Sequence, residues 1–362
     1  VIETKTIPLM TPYVPSGTAE AVSDVLRSRW IGQGPRVEEF EEKFSRQIVG
    51  GRRSIAVGSC TDALHLAYLL SDICPGDDVI APLFTCTATN IPLLYSGARV
   101  RFCDVEPNSL NMDPAHLKRL LWERKPKAIV VVHYGGAPVS RVIFDLAQEA
   151  SVPVIEDCAQ ALGAKGIAQR GRFACFSFQA VKHIGCGDGG MLVLPDHLKD
   201  IAKRQRWFGI DREAKLKGIW ENDITEIGFK YQLNDIAAAM CLQGLYHLDD
   251  QMKHRRRLRG TYMSALSDMD GIRLVDTDRD SACWLLTVLV ERREDFRRKL
   301  AAEGIETDQV HYRNDRYTIF EKFRDEFPNM DAVDGKYLVL PLHMGMDGDD
   351  VRRICGVIRS GW

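Results

Sequence analysis

Nowhere in this sequence do apolar residues run for anything close to the ~20 positions that a membrane-spanning helix requires, which predicts no membrane partner. Charge of one sign is also lacking. The chain has 48 Lys and Arg against 50 Asp and Glu, a formal net charge of -2, too little to draw it to nucleic acid or an anionic surface. Its one basic run, Lys253-His-Arg-Arg-Arg-Leu-Arg259, continues a helical pattern, so its charges are expected to spread round a solvated helix. Paired cysteines are missing too. The ten cysteines are scattered, with no Cys-x-x-Cys pair and no histidine at zinc-finger spacing, so neither a disulfide framework nor a metal centre is expected. Several lie inside apolar runs, as in Ala174-Cys-Phe-Ser-Phe178, and read as small hydrophobes in a reducing, cytoplasmic setting. No internal repeat or low-complexity segment is visible. Val1-Ile-Glu-Thr-Lys5 resembles neither a signal peptide nor a natural start, which predicts a trimmed N-terminus.

What is present is the composition of an ordinary globular protein, 45% hydrophobic and 27% charged over 362 residues. That length suits two domains, or one large domain with a smaller appendage. From about 50 to 195 the chain alternates short apolar runs with helical patterns. Strands are predicted at 54–57, 78–82, 99–103, 128–133 and 153–156, and helices at 61–70, 114–122 and 142–150. Continuous apolar strands belong to a sheet covered on both faces, so the expected class is α/β with a mainly parallel sheet flanked by helices. A long helix is predicted from 233 to 248. Beyond 272 the pattern turns α+β, with strands at 282–290 and 337–341 and helices at 293–304 and 348–359.

Ligands in such sheets collect outside the carboxyl ends of the strands. That places 59–62, 85–87, 133–135 and 157–160 round one crevice. Two residues there carry chemistry. Lys182 follows an apolar strand in Ser177-Phe-Gln-Ala-Val-Lys182-His-Ile-Gly-Cys-Gly-Asp-Gly-Gly190, where desolvation can leave a usable amine. Asp157 ends the apolar run Val152-Pro-Val-Ile-Glu-Asp157. A lysine nucleophile and an aspartate at a strand end are the pair that pyridoxal 5'-phosphate (PLP) requires, one for its aldehyde and one for its pyridine nitrogen. Gly58-Ser-Cys-Thr-Asp62, at the start of a helix, offers N–H groups and hydroxyls to a phosphate, although it also reads as a plain N-cap.

Taken in order, the motifs resemble the DegT/DnrJ/EryC1/StrS sugar aminotransferase family, a branch of the fold-type I PLP-dependent enzymes. The resemblance runs almost end to end. It includes Trp30-Ile-Gly-Gln-Gly-Pro-Arg-Val-Glu-Glu-Phe-Glu41, Gly58-Ser-Cys-Thr-Asp-Ala-Leu64 and Pro82-Leu-Phe-Thr-Cys-Thr-Ala-Thr89. Ile155-Glu-Asp-Cys-Ala-Gln-Ala-Leu-Gly-Ala164 and Phe176-Ser-Phe-Gln-Ala-Val-Lys182 are the most specific matches. Gly228-Phe-Lys-Tyr-Gln-Leu-Asn-Asp-Ile-Ala-Ala238 and Tyr337-Leu-Val-Leu-Pro341 complete the series. It implies a large PLP-binding domain over 1–245 with a seven-stranded, mainly parallel sheet, and a smaller C-terminal α+β domain over 246–362.

It also implies roles, carried over position by position. Lys182 would hold the cofactor as an internal aldimine and move protons during transfer. Asp157 would pair with the pyridinium nitrogen and Gln160 with the phenolic oxygen. Thr61, the backbone N–H of Asp62 and Ser177 would hold the phosphate. Several positions depart from the family, among them Gly185-Cys186 in place of commoner hydroxyl residues. Cys86 stands where an aromatic residue usually stacks on the cofactor ring, and Cys60 replaces a frequent glycine. Lys230 stands where an asparagine commonly reaches a neighbouring subunit's phosphate; a lysine suits that role. His133 and His183 border the expected crevice, and His311 and Tyr312 lie where the family places residues near the sugar; all four are candidate substrate contacts.

The expected activity is a ping-pong transamination that alternates PLP with its pyridoxamine form (PMP). L-glutamate would donate nitrogen to the ketone of a nucleotide-linked keto-deoxy sugar, in a homodimer with a shared active site. Two other readings share the scaffold. A sugar dehydratase of this type has histidine in place of the lysine, and here His183 is one position out of register. A regulatory member would bind cofactor without turnover.

Overall fold

The computed structural model describes residues 5–221, 223–275 and 278–362. The expectation about the N-terminus falls mainly on residues 1–4, which lie outside the described residues. Eight strands form between residues 53 and 194: β1 (Arg53–Val57), β2 (Asp78–Pro82), β3 (Phe84–Thr85), β4 (Arg99–Cys103), β5 (Ala128–Val132), β6 (Val154–Asp157), β7 (Phe173–Ser177) and β8 (Gly190–Leu194). Seven of them make one sheet in the order β1-β8-β7-β6-β5-β2-β4. Neighbours from β7 through β4 are parallel, and β8 alone runs against both of its partners. A mainly parallel seven-stranded sheet was expected, and it is what forms.

Successive side chains of a strand point to opposite faces, and here both faces are covered. Helices α1 (Thr18–Ser28), α2 (Pro35–Gln47), α3 (Cys60–Leu69), α4 (Thr87–Tyr95), α5 (Pro114–Glu123) and α6 (Arg141–Glu149) surround the sheet. Ile55, Ile155, Cys175 and Leu192 pack with Ala63, Leu66 and Ala67 of α3. Their neighbours Ala56, Ala174, Phe176 and Met191 pack with Val37, Phe40 and Phe44 of α2 and with the helix Asp235–Tyr246. That two-sided burial is why β2, β5, β6, β7 and β8 read as continuous apolar runs.

Local signals set where the helices begin. Ser59 caps α3 by accepting from the Asp62 N–H at 3.1 Å, and Asp113 caps α5 ahead of Pro114. Asp347 and Asp350 form a reciprocal capping box at the start of the helix Gly348–Arg359.

The later chain forms β9 (Ile272–Leu274), β10 (Leu286–Val290), β11 (Tyr312–Arg313) and β12 (Tyr337–Leu340). Three make an antiparallel sheet in the order β12-β10-β9, while β11 crosses to pair with β3. Ile7 joins this region by exchanging backbone hydrogen bonds with Gly304 and Glu306.

As expected, Lys182 follows a strand: β7 ends at Ser177, and Lys182 lies in the bend that leads to β8. Two other expectations differ from the structure. The predicted strand 282–290 begins only at Leu286. The N–H groups of Ala282, Trp284 and Leu285 are taken by the carbonyls of Gly136 and Gly135 instead, and Cys283 has φ of 52°. The basic run is not wholly solvated either. Arg255 and Arg259 are buried in the helix Leu248–Leu266, and Arg255 donates to the carbonyls of Cys283 and Leu342. Among the described residues, no helix is long and apolar enough to cross a membrane.

Gly190 opens β8 beneath the start of α3. A Cβ there would stand 2.4 Å from the Ser59 carbonyl and 2.6 Å from the Cys60 nitrogen. Gly190→Ala should therefore push the start of α3 off the sheet and cost about 1–3 kcal/mol. Thermal and urea unfolding would read this as a lower midpoint; an unchanged midpoint would contradict the packing described.

Candidate active site

A cavity of about 340 Å³ opens where β6 and β7 end and α3 begins, within the size range of small-molecule sites. β6 delivers Asp157 to it and β7 delivers Ser177. The bend after β7 supplies Gln179, Val181 and Lys182, and the first turn of α3 supplies Cys60 and Thr61. Cys86 and Ala88 enter at the start of α4, Gln160 three residues beyond Asp157, and Trp284 and His311 from the later chain.

Asp157 is held from several sides. The Thr89 hydroxyl donates to Oδ2 at 2.7 Å and the Ala159 N–H to Oδ1 at 3.0 Å. Thr85 and Thr89 share a hydroxyl contact at 2.8 Å. Burial pushes the Asp157 carboxyl above its ordinary range, while Ala159, Thr89 and the charge of Lys182 oppose that. Burial also brings the Lys182 amine down to about 8, against the pull of Asp157, Cys60 and Cys86. The two groups are thus a desolvated carboxylate and an amine that deprotonates easily, facing one cavity.

Gln160 is oriented before any ligand arrives. Its Oε1 accepts from the Gly135 N–H at 2.7 Å, and its Nε2 lies 3.2 Å from His311 Nε2. One amide hydrogen remains for a ligand. Burial lowers His311 to about 3, so the ring is neutral. Cys60 is buried, with Sγ 3.9 Å from Asp157 Oδ1, and burial keeps its thiol well above the ordinary range. Asp62 directs its N–H to the Ser59 cap, and burial raises its carboxyl to about 6.

The structure brings Lys182, Asp157, Gln160, Ser177, Thr61, Cys60, Cys86 and His311 to one cavity. Asp62 does not line it, although its N–H belongs to the helix start that does. The remaining expectations are placed elsewhere. His133 is buried away from the cavity: Nε2 meets Glu156 Oε2 at 3.0 Å and Nδ1 accepts from the Val139 N–H, so neither nitrogen is free for a substrate. Glu156 also accepts from Ala168 and Gly171. The buried cluster His133, Glu156 and Cys158 is therefore built on protein hydrogen bonds. His183 turns to the Ala282 carbonyl at 2.9 Å, and burial lowers it to about 3. Tyr312 pairs with Thr85 in the β11–β3 ladder and lies outside the lining. Lys230 is exposed, its Nζ 5.7 Å from the Phe208 ring centre, and also outside the lining.

Two residues escaped the sequence reading. Thr89 had a faint signal, since it lies four residues beyond Thr85 beside the crevice. Trp284 had none, because a tryptophan in an apolar run reads as core. Its indole Nε1 donates to the Val181 carbonyl at 3.1 Å, and Lys182 Nζ lies 3.5 Å from its ring centre.

PLP fits these groups. Its phosphate suits the N–H groups and hydroxyls at the start of α3, where Gly190 lets the loop lie against the sheet. Its ring nitrogen suits Asp157, and its aldehyde suits Lys182. Because the amine titrates near 8, capture of pyridoxal phosphate by cofactor-free protein should accelerate as pH rises through about 8, not near the usual ~10.4 of a lysine. Stopped-flow absorbance against pH measures this, and a midpoint near 10 would contradict the desolvated setting.

A model of the DegT/DnrJ/EryC1/StrS aminotransferase family matches residues 14–359. The dTDP-4-dehydro-2,3,6-trideoxy-D-glucose 4-aminotransferase of Saccharopolyspora spinosa is 30% identical, over 96% of this chain and 94% of its own length. The UDP-4-amino-4-deoxy-L-arabinose–oxoglutarate aminotransferase of Shewanella sediminis is also 30% identical, over 97% of each chain. The crystal structure of the sugar aminotransferase CalS13 from Micromonospora echinospora superposes with a TM-score of 0.91 at 32% identity, covering 98% of this chain and all of that one.

Proposed function

The chain belongs to the DegT/DnrJ/EryC1/StrS aminotransferase family, and from that membership we propose how this PLP-dependent sugar aminotransferase works and on what. Its acceptor is a nucleotide-linked keto-deoxy sugar, its donor is L-glutamate, and its setting is the cytoplasm. The observation that carries this reading is the meeting of Lys182 and Asp157 in one cavity floored by the start of α3. The nucleotide-sugar and oxoglutarate chemistry named for the two aminotransferase relatives supports the substrate pair.

When bound, PLP supplies an electron sink that stabilises negative charge on the carbon beside the transferred nitrogen. The protein does the rest. Asp157 keeps a proton on the ring nitrogen, and the Thr89 and Ala159 hydrogen bonds hold its carboxylate in that task. Gln160 points its remaining amide hydrogen at the ring's phenolic oxygen. Thr61 and Ser177 hold the phosphate, while the Asp62 N–H, given to the Ser59 side chain, fixes the helix start beneath it. Lys182 anchors the cofactor through Nζ, then takes a proton from one carbon and delivers it to the other in each half of the cycle. A titration near 8 suits an amine that must both accept and release that proton. His311 borders the acceptor side as a neutral ring.

Incubation with nitrogen-labelled glutamate and a panel of nucleotide-linked keto sugars tests the reading. Label should appear in one sugar and 2-oxoglutarate should accumulate; no transfer to any sugar would overturn it. Asp157→Asn should keep some cofactor but lose most turnover, about 10²-fold or more, because a neutral amide cannot stabilise the ring's positive charge. Near-normal steady-state rates would count against that role.

The working unit is a homodimer with shared sites, and Lys230 serves the partner's phosphate. Lys230 is exposed and outside its own cavity, beside a segment that leaves Leu216, Ile219, Trp220 and Ile227 exposed, as a protein contact would. Mixing inactive Lys182→Ala with inactive Lys230→Ala should restore part of the activity, since some hybrid dimers hold one site with both lysines. Verified subunit exchange without recovery would sink the shared site.

A further inference from the structure

Among the described residues that line the cavity, the large aromatic ring comes from Trp284 and not from position 86. Trp284 is buried, and its surroundings fix it on several sides. Its N–H bonds to the Gly135 carbonyl, and Arg255 grips the preceding carbonyl at 3.2 Å. The indole Nε1 donates to Val181, the residue before Lys182. One ring face stacks with His311, with centres 5.9 Å apart and planes 26° apart. Lys182 Nζ stands over the ring, 3.5 Å from its centre. An ammonium so placed is attracted by the electron-rich face, and more strongly out of water.

We propose that Trp284 is a positioning residue for Lys182, its indole face serving as the resting place of the lysine ammonium whenever that amine is free. The inference rests on the aminotransferase reading, in which every turnover releases Lys182 and asks it to carry a proton. A lysine has a flexible four-carbon stem and three donors, so an unbonded amine can swing out of line. The indole face offers no basic lone pair, so it holds the ammonium without competing for its proton. Once the proton leaves, the attraction leaves with it, and the amine is free to act. Anchoring at both Val181 and Lys182 ties this surface to the stretch of chain that carries the nucleophile.

Other groups also face Lys182. Asp157, Cys60 and Cys86 favour its charged form, and His183 and His311 are neutral because they are buried. In the loaded site Asp157 is engaged with the ring nitrogen, which leaves the Trp284 ring as a neutral surface under the free ammonium.

The test uses cofactor-free protein, so it does not depend on turnover. Acylation of Lys182 by a soluble amine-reactive ester is followed by peptide mass spectrometry as a function of pH. Trp284→Leu should label about tenfold faster near neutral pH than wild type, its titration midpoint lying about one unit lower. Trp284→Phe, which keeps a ring face and most of the packing, should stay within about threefold of wild type. Circular dichroism and pyridoxal phosphate uptake check that both variants keep the site. Unchanged or slower labelling in a folded Trp284→Leu would overturn the inference, as would Trp284→Phe behaving like Trp284→Leu. If wild type took up no pyridoxal phosphate, the aminotransferase reading would fail instead, a result the labelling data alone could not produce.

Discussion

Burying the Asp157 carboxylate at the end of β6 is the constraint on which the rest of the site depends. An unpaired carboxylate taken out of water is costly, so a protein that keeps one must surround it with donors. Here Thr89 comes from α4, Ala159 from the turn after β6, and the Lys182 charge from the bend after β7. Each donor belongs to a different element, so those elements must meet at one point. The parallel sheet makes this possible by ending β6 and β7 side by side, with Asp157 paired in register to Cys175. The same desolvation that raises Asp157 lowers Lys182. One physical cause thus prepares both groups.

Much of this was legible beforehand. β2 and β4 match the predicted runs, and the helix Gly348–Arg359 matches its predicted span. Lys182 and Asp157 stood out because strand ends are where such chemistry gathers, and the ordered motifs named the family. What was not legible came from contacts distant in sequence. Glu156 claimed His133 through β6, and Ala282 claimed His183 from 99 positions away. The strand expected at 282 lost its first residues to the carbonyls of Gly135 and Gly136. The run around Arg255 looked solvated because charge patterning does not reveal buried carbonyls in need of donors. β8 was not among the predicted strands, and nothing in Gly190–Leu194 shows that it runs against its neighbours.

The ring lacking at Cys86 and the ring present at Trp284 belong together. Cys86 brings an exposed thiol and no ring to the cavity, while Trp284 brings a ring that the apolar pattern of 282–290 concealed. The cavity therefore has its large aromatic surface beside the nucleophile, where it acts on charge. Lys230 departs differently. It replaces a neutral side chain with a cation, and its exposure outside the cavity suits action on a neighbouring subunit.

In the proposed mechanism Lys182, and no other lysine, carries the cofactor. Borohydride reduction of pyridoxal phosphate-loaded protein, followed by peptide mass spectrometry, shows which lysine is bonded. A stable phosphopyridoxyl group confined to the peptide containing Lys182 is the predicted result. The same label on another lysine, or none on Lys182 in protein that has taken up the cofactor, would contradict it.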